Sequence, residues 1–256
     1  MLHDYHVHSN YSDGRFLFQM LQVAEQAGLK GVGFADHCNV SERERMQDLK
    51  HLLGFNLDQT YDRRLRAIES LNDRFDVEIY NAVEMDYDPR DAAAIRAFFN
   101  ETEFDYTIGS VHHLEDVNVH VESYFGKKSE AARKALVDEY FQKLVTLAES
   151  ELFDIAAHVD LLERNPAFRG MGTDEHYHAA ARAFKRSRTV PEINAGRVLT
   201  DYGKFHPVPR FLEVFCEHEV RFTVGSDSHR PEELGPRVKK LRNYLEEEDL
   251  SPVYIV

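Results

Sequence analysis

The chain has 256 residues, 43% of them hydrophobic, and 31 Lys and Arg against 45 Asp and Glu. A formal charge of -14 argues against a surface built to grip a phosphate backbone, and no apolar run approaches the roughly 18 residues that span a bilayer. Neither a nucleic-acid-binding module nor a membrane protein is expected, whereas an anionic substrate stays open because some of the acidity can be offset by bound metal.

Strand-like and helix-like segments alternate along the whole length. Residues 1–7 read as a strand, and 15–29 as a helix with Leu17, Met20, Leu21, Ala24 and Ala27 at helical spacing before Gly28. The run 31–35 is a strand ending at Asp36-His37. Segments 42–54 and 58–75 read as helices, 77–83 is a β-branched strand ending at Glu84, 91–100 is helical, and 105–111 is a strand ending at His112-His113. A long helix over 130–150 precedes a strand at 153–157 that delivers His158. A helix at 173–187, a strand at 190–193, a helix at 209–218, a last strand at 220–224 and a helix at 232–247 complete the series. Seven strands alternating with helices in about 250 residues predict a single parallel α/β barrel over residues 1–256.

Polar clusters follow these apolar runs and do not precede them. Chemistry in a parallel barrel belongs at the carboxyl ends of the strands, where the loops converge. His6, His8, Asp13, His37, Glu84, His112, His158, Asp227 and His229 are therefore expected to meet at one rim as metal ligands. Residues i and i+2 of a strand share a face, so His6 and His8 can enter one site while Val7 packs on the other side. Imidazole and carboxylate without a thiolate cluster suit Zn, Mn or Fe. Cys38, beside His37, reads as a buried small residue. His3, His51, His120, His176, His178, His206 and His218 sit at no strand end and read as ordinary histidines. Two cysteines are too few for a disulfide framework, and Met1-Leu2-His3-Asp4 leaves no room for a signal peptide, so a cytoplasmic location is expected.

The motifs Asp4-x-His6-x-His8, Ser12-Asp13-Gly14, Asp36-His37, Glu84, Gly109-Ser110-Val111-His112, Ala157-His158-Val159-Asp160 and Gly225-Ser226-Asp227-Ser228-His229 resemble, in order, those of the polymerase-and-histidinol-phosphatase (PHP) family. Gly109-Ser110-Val111-His112-His113 and Glu192-Ile193-Asn194-Ala195-Gly196-Arg197 look most like the stand-alone histidinol-phosphate phosphatases of that family, while 159–164 departs from them. The resemblance implies a distorted seven-stranded (β/α)7 barrel with two or three divalent metal ions. It assigns one metal to His6, His8, Glu84 and Asp227, a second, bridged by Glu84, to His112 and His158, and a third to Asp13, His37 and His229.

The activity so implied is a metal-dependent phosphomonoesterase acting on a small phosphorylated metabolite, L-histidinol phosphate foremost, through a water acidified by paired cations. Arg197 is the first candidate to clamp the phosphoryl group and Arg164 the second, with His113 a further substrate contact. Asp160, His229 or a metal-bound water could protonate the leaving oxygen. Asp4 and Asp36 are expected to hold imidazole tautomers. Two other readings are a PHP phosphoesterase for nucleotide, oligonucleotide or phosphotyrosine substrates, and a metal-binding scaffold without turnover. Nothing in the sequence indicates an oligomeric state.

Overall fold

The computed structural model describes residues 2–256. In chain order the strands are β1 (His3–Val7), β2 (Gly31–Cys38), β3 (Glu78–Asp86), β4 (Tyr106–Ser110), β5 (His113–Leu114), β6 (Val117–Asn118), β7 (Ile155–Ala156), β8 (Val190–Asn194) and β9 (Thr223–Gly225). The helices are α1 (Leu17–Gln26), α2 (Glu44–Leu53), α3 (Leu57–Glu69), α4 (Ala92–Glu101), α5 (Glu122–Phe125), α6 (Glu130–Glu149), α7 (Asp174–Arg186), α8 (Pro209–Glu217) and α9 (Pro231–Glu247). Seven strands form one parallel sheet in the order β1-β2-β3-β4-β7-β8-β9.

The sheet curls until its ends meet. Asp227 N–H donates to the His6 carbonyl at 2.7 Å, and His8 N–H donates to the Ser228 carbonyl at 2.9 Å. The Asp4 carboxylate accepts from Ser226 N–H at 2.9 Å and from His6 N–H at 3.2 Å, closing the same seam. Outside it, α1 packs on α9. The result is the expected distorted seven-stranded barrel with helices around it.

β2 is buried along its whole length, as a parallel strand covered on both faces must be. Its alternation sorts the side chains: Phe34 packs outward with Val7, Leu17, Met20 and Leu21, whereas Ala35 faces inward with Ala82, Tyr106 and Ile108. Tyrosines fill the amino end of the barrel. Tyr106 donates its hydroxyl to the Tyr5 carbonyl at 2.6 Å, and a Cβ on Gly33 would lie 1.5 Å from that hydroxyl, so only glycine fits beside it.

Several element boundaries differ from the sequence reading. β2 and β3 run beyond their apolar cores, placing Asp36, His37 and Glu84 within strands; His37 pairs in register with Glu84. The expected helix over 58–75 ends at Glu69 and gives way to a 3-10 turn at Asn72–Arg74. The hairpin of β5 and β6 and the short helix α5 were not anticipated, since two-residue strands carry no periodicity. Among the described residues no helix is long and apolar enough to cross a membrane.

Candidate metal centre

The centre is built around Glu84. Two residues after inward-facing Ala82, its carboxylate reaches the barrel axis and is wholly buried. Its Oε1 accepts from Ser110 Oγ at 2.5 Å and lies 2.9 Å from His158 Nε2 and 3.3 Å from His112 Nε2. Its Oε2 is flanked by His37 Nδ1 at 2.8 Å, His6 Nε2 at 3.2 Å and His8 Nε2 at 3.5 Å. One carboxylate is thus shared by five imidazoles, two on one oxygen and three on the other.

Three groups of side chains have ligand atoms within 4.8 Å of one another: His6, His8 and Asp227; His37, Glu84 and His112; and His8, Asp13, His37 and His229. Eight of the nine expected ligands are thus grouped, and the ninth, His158, lies 2.9 Å from Glu84. Their partition differs in detail, because His8 and His37 each join two groups and His158 reaches the cluster through Glu84. Asp13 stands at the outer edge, 3.3 Å from His229 Nε2, with two-fifths of its side chain exposed.

Buried His6 Nε2, His8 Nδ1 and Nε2, His37 Nδ1 and Glu84 Oε2 all lack a hydrogen bond of proper geometry. Buried polar atoms are nearly always satisfied, so this concentration at one point fits a cation held by nitrogen and oxygen donors. Backbone strain marks the same place: His158 (φ 27°) and Asp227 (φ 53°) occupy left-handed conformations that residues with a Cβ disfavour.

The electrostatics of the protein without its ions point the same way. Burial alone opposes charge on His6, but Glu192 and Glu84 outweigh it and lift its pKa well above the ordinary value. Burial likewise opposes ionisation of Glu84, yet His37, His6 and His112 hold its carboxyl far below the usual range. His112 is raised to about 10 against burial by Glu84 and Asp86. His8 is lowered to about 4 by burial and by His229 and His37, leaving a neutral imidazole suited to ligation.

Outer contacts fix the rings. His6 Nδ1 sits 3.0 and 3.2 Å from the two oxygens of buried Glu192. A Cβ on Gly225 would meet Glu192 Oε1 at 1.8 Å, which makes that glycine part of the arrangement. Asp86 stands 3.5 Å from His112 Nδ1 and 2.7 Å from His113 Nδ1. The two acids expected to hold imidazoles do other work. Asp36, opposite in parity to His37, points outward to pair with fully buried Arg64 at 3.0 Å. Its oxygens also take Ser9 N–H at 2.7 Å, Ser9 Oγ at 2.6 Å and Ser12 Oγ at 2.8 Å, which anchors the turn carrying Asp13. Asp4, as described, closes the barrel seam.

A cavity of about 510 Å³ opens over the cluster, with Asp13, His37, His112, His158, Asp227 and His229 on its floor and wall. Arg164, Arg197 and His120 line its other side. Arg197 is exposed; its carbonyl accepts from Thr200 and Gly203, and its guanidinium has no hydrogen-bond or ion-pair partner among the described residues. Arg164 is held by His206, Asn194 and Asp227. Two expected substrate-side residues are not at the cavity. His113 is buried against Asp86, and Asp160 is buried against His206 Nδ1 and Val208 N–H. His120, Glu192, Asp86 and His206 escaped the sequence reading; Glu192 alone had a signal, its place two residues before Asn194 in β8. Cys38 lies within β2, buried, and burial pushes its thiol pKa up.

A parallel barrel with clustered imidazoles and carboxylates at the carboxyl ends of its strands defines a metal-centred protein of the kind that catalyses hydrolysis. The PHP domain matches residues 4–196, and the chain belongs to that family. The Deinococcus radiodurans protein named "Probable histidinol-phosphatase" is 25% identical over 228 residues, covering 87% of this chain and 85% of its own. A protein of the same name from Schizosaccharomyces pombe is 22% identical over 250 residues, covering 90% and 80%. Among solved structures, the histidinol phosphate phosphatase of Lactococcus lactis, complexed with zinc, L-histidinol and phosphate, superposes with a TM-score of 0.78 at 20% identity, covering 98% of this chain and 95% of that one.

Proposed function

We propose that the protein is a metal-dependent phosphomonoesterase whose substrate is L-histidinol phosphate, working as one unit over residues 1–256. The observation that carries this reading is the shared carboxylate of Glu84, with imidazoles against both oxygens and unsatisfied ligand atoms around it. His6, His8 and Asp227 would hold one ion, and His112 and His158 would hold a second across Glu84. Asp13, His37 and His229 would hold a third. The donor set suits Zn, Mn or Fe. When bound, two such ions supply Lewis acidity to a phosphoryl oxygen and acidify a water near neutral pH.

The chain's own residues do the rest. Glu192 fixes the His6 ring, Asp86 places its charge beside His112, and the Asp36–Arg64 pair fixes the turn that presents Asp13. Arg164 and Arg197 offer guanidinium N–H donors to the phosphoryl oxygens from the cavity wall. Of the expected proton sources, His229 stays at the cavity and Asp160 stands behind Arg164. The names of the D. radiodurans and S. pombe relatives and the ligands of the L. lactis structure support the substrate class. The free thiols of Cys38 and Cys216 suit a reducing cytoplasm.

The test is phosphate release by metal-replete protein from L-histidinol phosphate, nucleoside monophosphates, an oligonucleotide with a terminal phosphate and a phosphotyrosine peptide. A preference of at least about tenfold for L-histidinol phosphate in kcat/KM, some 1.4 kcal/mol, is expected. Preference for another member reassigns the substrate, and metal-loaded protein that releases nothing is a scaffold.

A further inference from the structure

Arg164 reaches the cavity from the 3-10 turn Leu161–Arg164, and three of its five N–H donors are already engaged by the protein. Nη2 donates to Asn194 Oδ1 at 3.2 Å and to Asp227 Oδ2 at 3.3 Å, and Nε donates to His206 Nε2 at 2.9 Å. The Nη1 end carries none of these bonds. His206 can accept at Nε2 only if its proton is on Nδ1, and Nδ1 faces Asp160 Oδ1 at 2.5 Å. Both His206 and Asp160 are fully buried, and the His206 ring stacks on Tyr202 at 5.3 Å and 11°.

We propose that Asp160 and His206 are positioning residues: Asp160 fixes the imidazole tautomer, and the Nε2 lone pair then aims the Arg164 guanidinium at the phosphoryl oxygens. This rests on the phosphomonoesterase reading for its purpose, although the relay stands on its own distances.

The choice of an imidazole has a physical reason. Nη2 already meets the Asp227 carboxylate, so a second carboxylate at Nε would orient the guanidinium but cancel what remains of its charge, weakening attraction for a phosphate dianion. Neutral imidazole orients without neutralising. Asp160 itself has no freedom to turn, because Oδ2 accepts Val208 N–H at 2.7 Å while Oδ1 serves His206. Asparagine at position 160 must keep its oxygen on Val208 N–H and present its NH2 to His206. That reverses the tautomer and sets an N–H of His206 against the Nε–H of Arg164.

The test uses the full-length, metal-loaded protein with inorganic phosphate as the probe, alongside turnover of L-histidinol phosphate. Nitrogen-15 spectra of the wild type should show His206 protonated on Nδ1, and Asp160→Asn should move that proton to Nε2. The same variant should weaken phosphate binding about tenfold or more with metal content unchanged. His206→Gln, whose amide oxygen can accept from Nε–H, should bind phosphate within about threefold of wild type, whereas His206→Phe should match Asp160→Asn. If Asp160→Asn does not fold, the Gln and Phe variants carry the test.

A wild-type His206 protonated on Nε2 overturns the proposal. So does a tautomer reversal that leaves phosphate affinity intact, or a Gln variant as impaired as Phe. Wild-type protein that binds phosphate through this relay yet hydrolyses no phosphate ester refutes the phosphatase reading and leaves the relay standing.

Discussion

The two ends of this barrel are built from the same alternating strands and have opposite character. At the amino end, Tyr5 and Tyr80 stack on His3, Tyr106 packs edge-on against both tyrosines, and the Tyr106 hydroxyl is bonded to backbone. At the carboxyl end, five imidazoles crowd one carboxylate, buried ligand atoms lack partners, and His158 and Asp227 hold strained backbone. The satisfied end stabilises the fold, and the unsatisfied end presents grouped donors that suit a cation. Stability was spent where a ligand would restore it.

The largest effect expected from breaking this contrast is at Glu84. Glu84→Gln replaces a two-oxygen bridge with an amide and should abolish turnover and metal content together, beyond the roughly 10- to 100-fold that outer partners of a ligand command. Elemental analysis beside phosphate release checks it, and retained metal would remove Glu84 from the centre. Glu192→Gln should fall within that 10- to 100-fold range in metal affinity, read by competition with a chelator, because His6 loses its anionic partner while keeping its place. Arg197→Ala should raise KM about tenfold at constant metal content; a fall in metal content would make the residue structural.

Chelation sharpens the same comparison through pH. In the metal-free protein His112 has a folded pKa of about 10, above the ordinary 6.5, so its contribution to stability is complete below about pH 6.5 and is lost as pH rises toward 10. Protons and cations compete for that nitrogen, so metal affinity should climb over the same interval. Denaturation midpoints of chelated and loaded protein should therefore diverge with rising pH; parallel curves would deny the competition. At the other end Tyr106→Phe should cost only about 1 kcal/mol of stability, seen as a lower Tm, with turnover unchanged. Altered turnover there would mean the two ends are coupled.

Much of the plan could be read from the chain. The apolar runs located all seven barrel strands, and the polar residues after them located the cluster, because strand direction and parity are local properties. What escaped depended on contacts between strands. Glu192 acts on His6 across 186 positions, and Asp86 at the end of β3 faces His112 just beyond the neighbouring strand β4. Asp36 was expected to hold an imidazole because it adjoins His37, yet adjacency in a strand means opposite faces, and the outward face holds Arg64. His206 was set aside as ordinary because it follows no apolar run. It enters through a bridge between Asn194 and His206 that no periodicity announces.

The seam that closes the barrel also orders events in the life of the molecule. His6 and His8 leave the ribosome long before Asp227, which bonds to the His6 carbonyl and joins them in one group of candidate ligands. A nascent chain short of that segment carries imidazoles with no finished pocket. Cation uptake at this group would therefore wait on synthesis of β9 and the segment after it, and a chain stalled before β9 would lack the finished pocket.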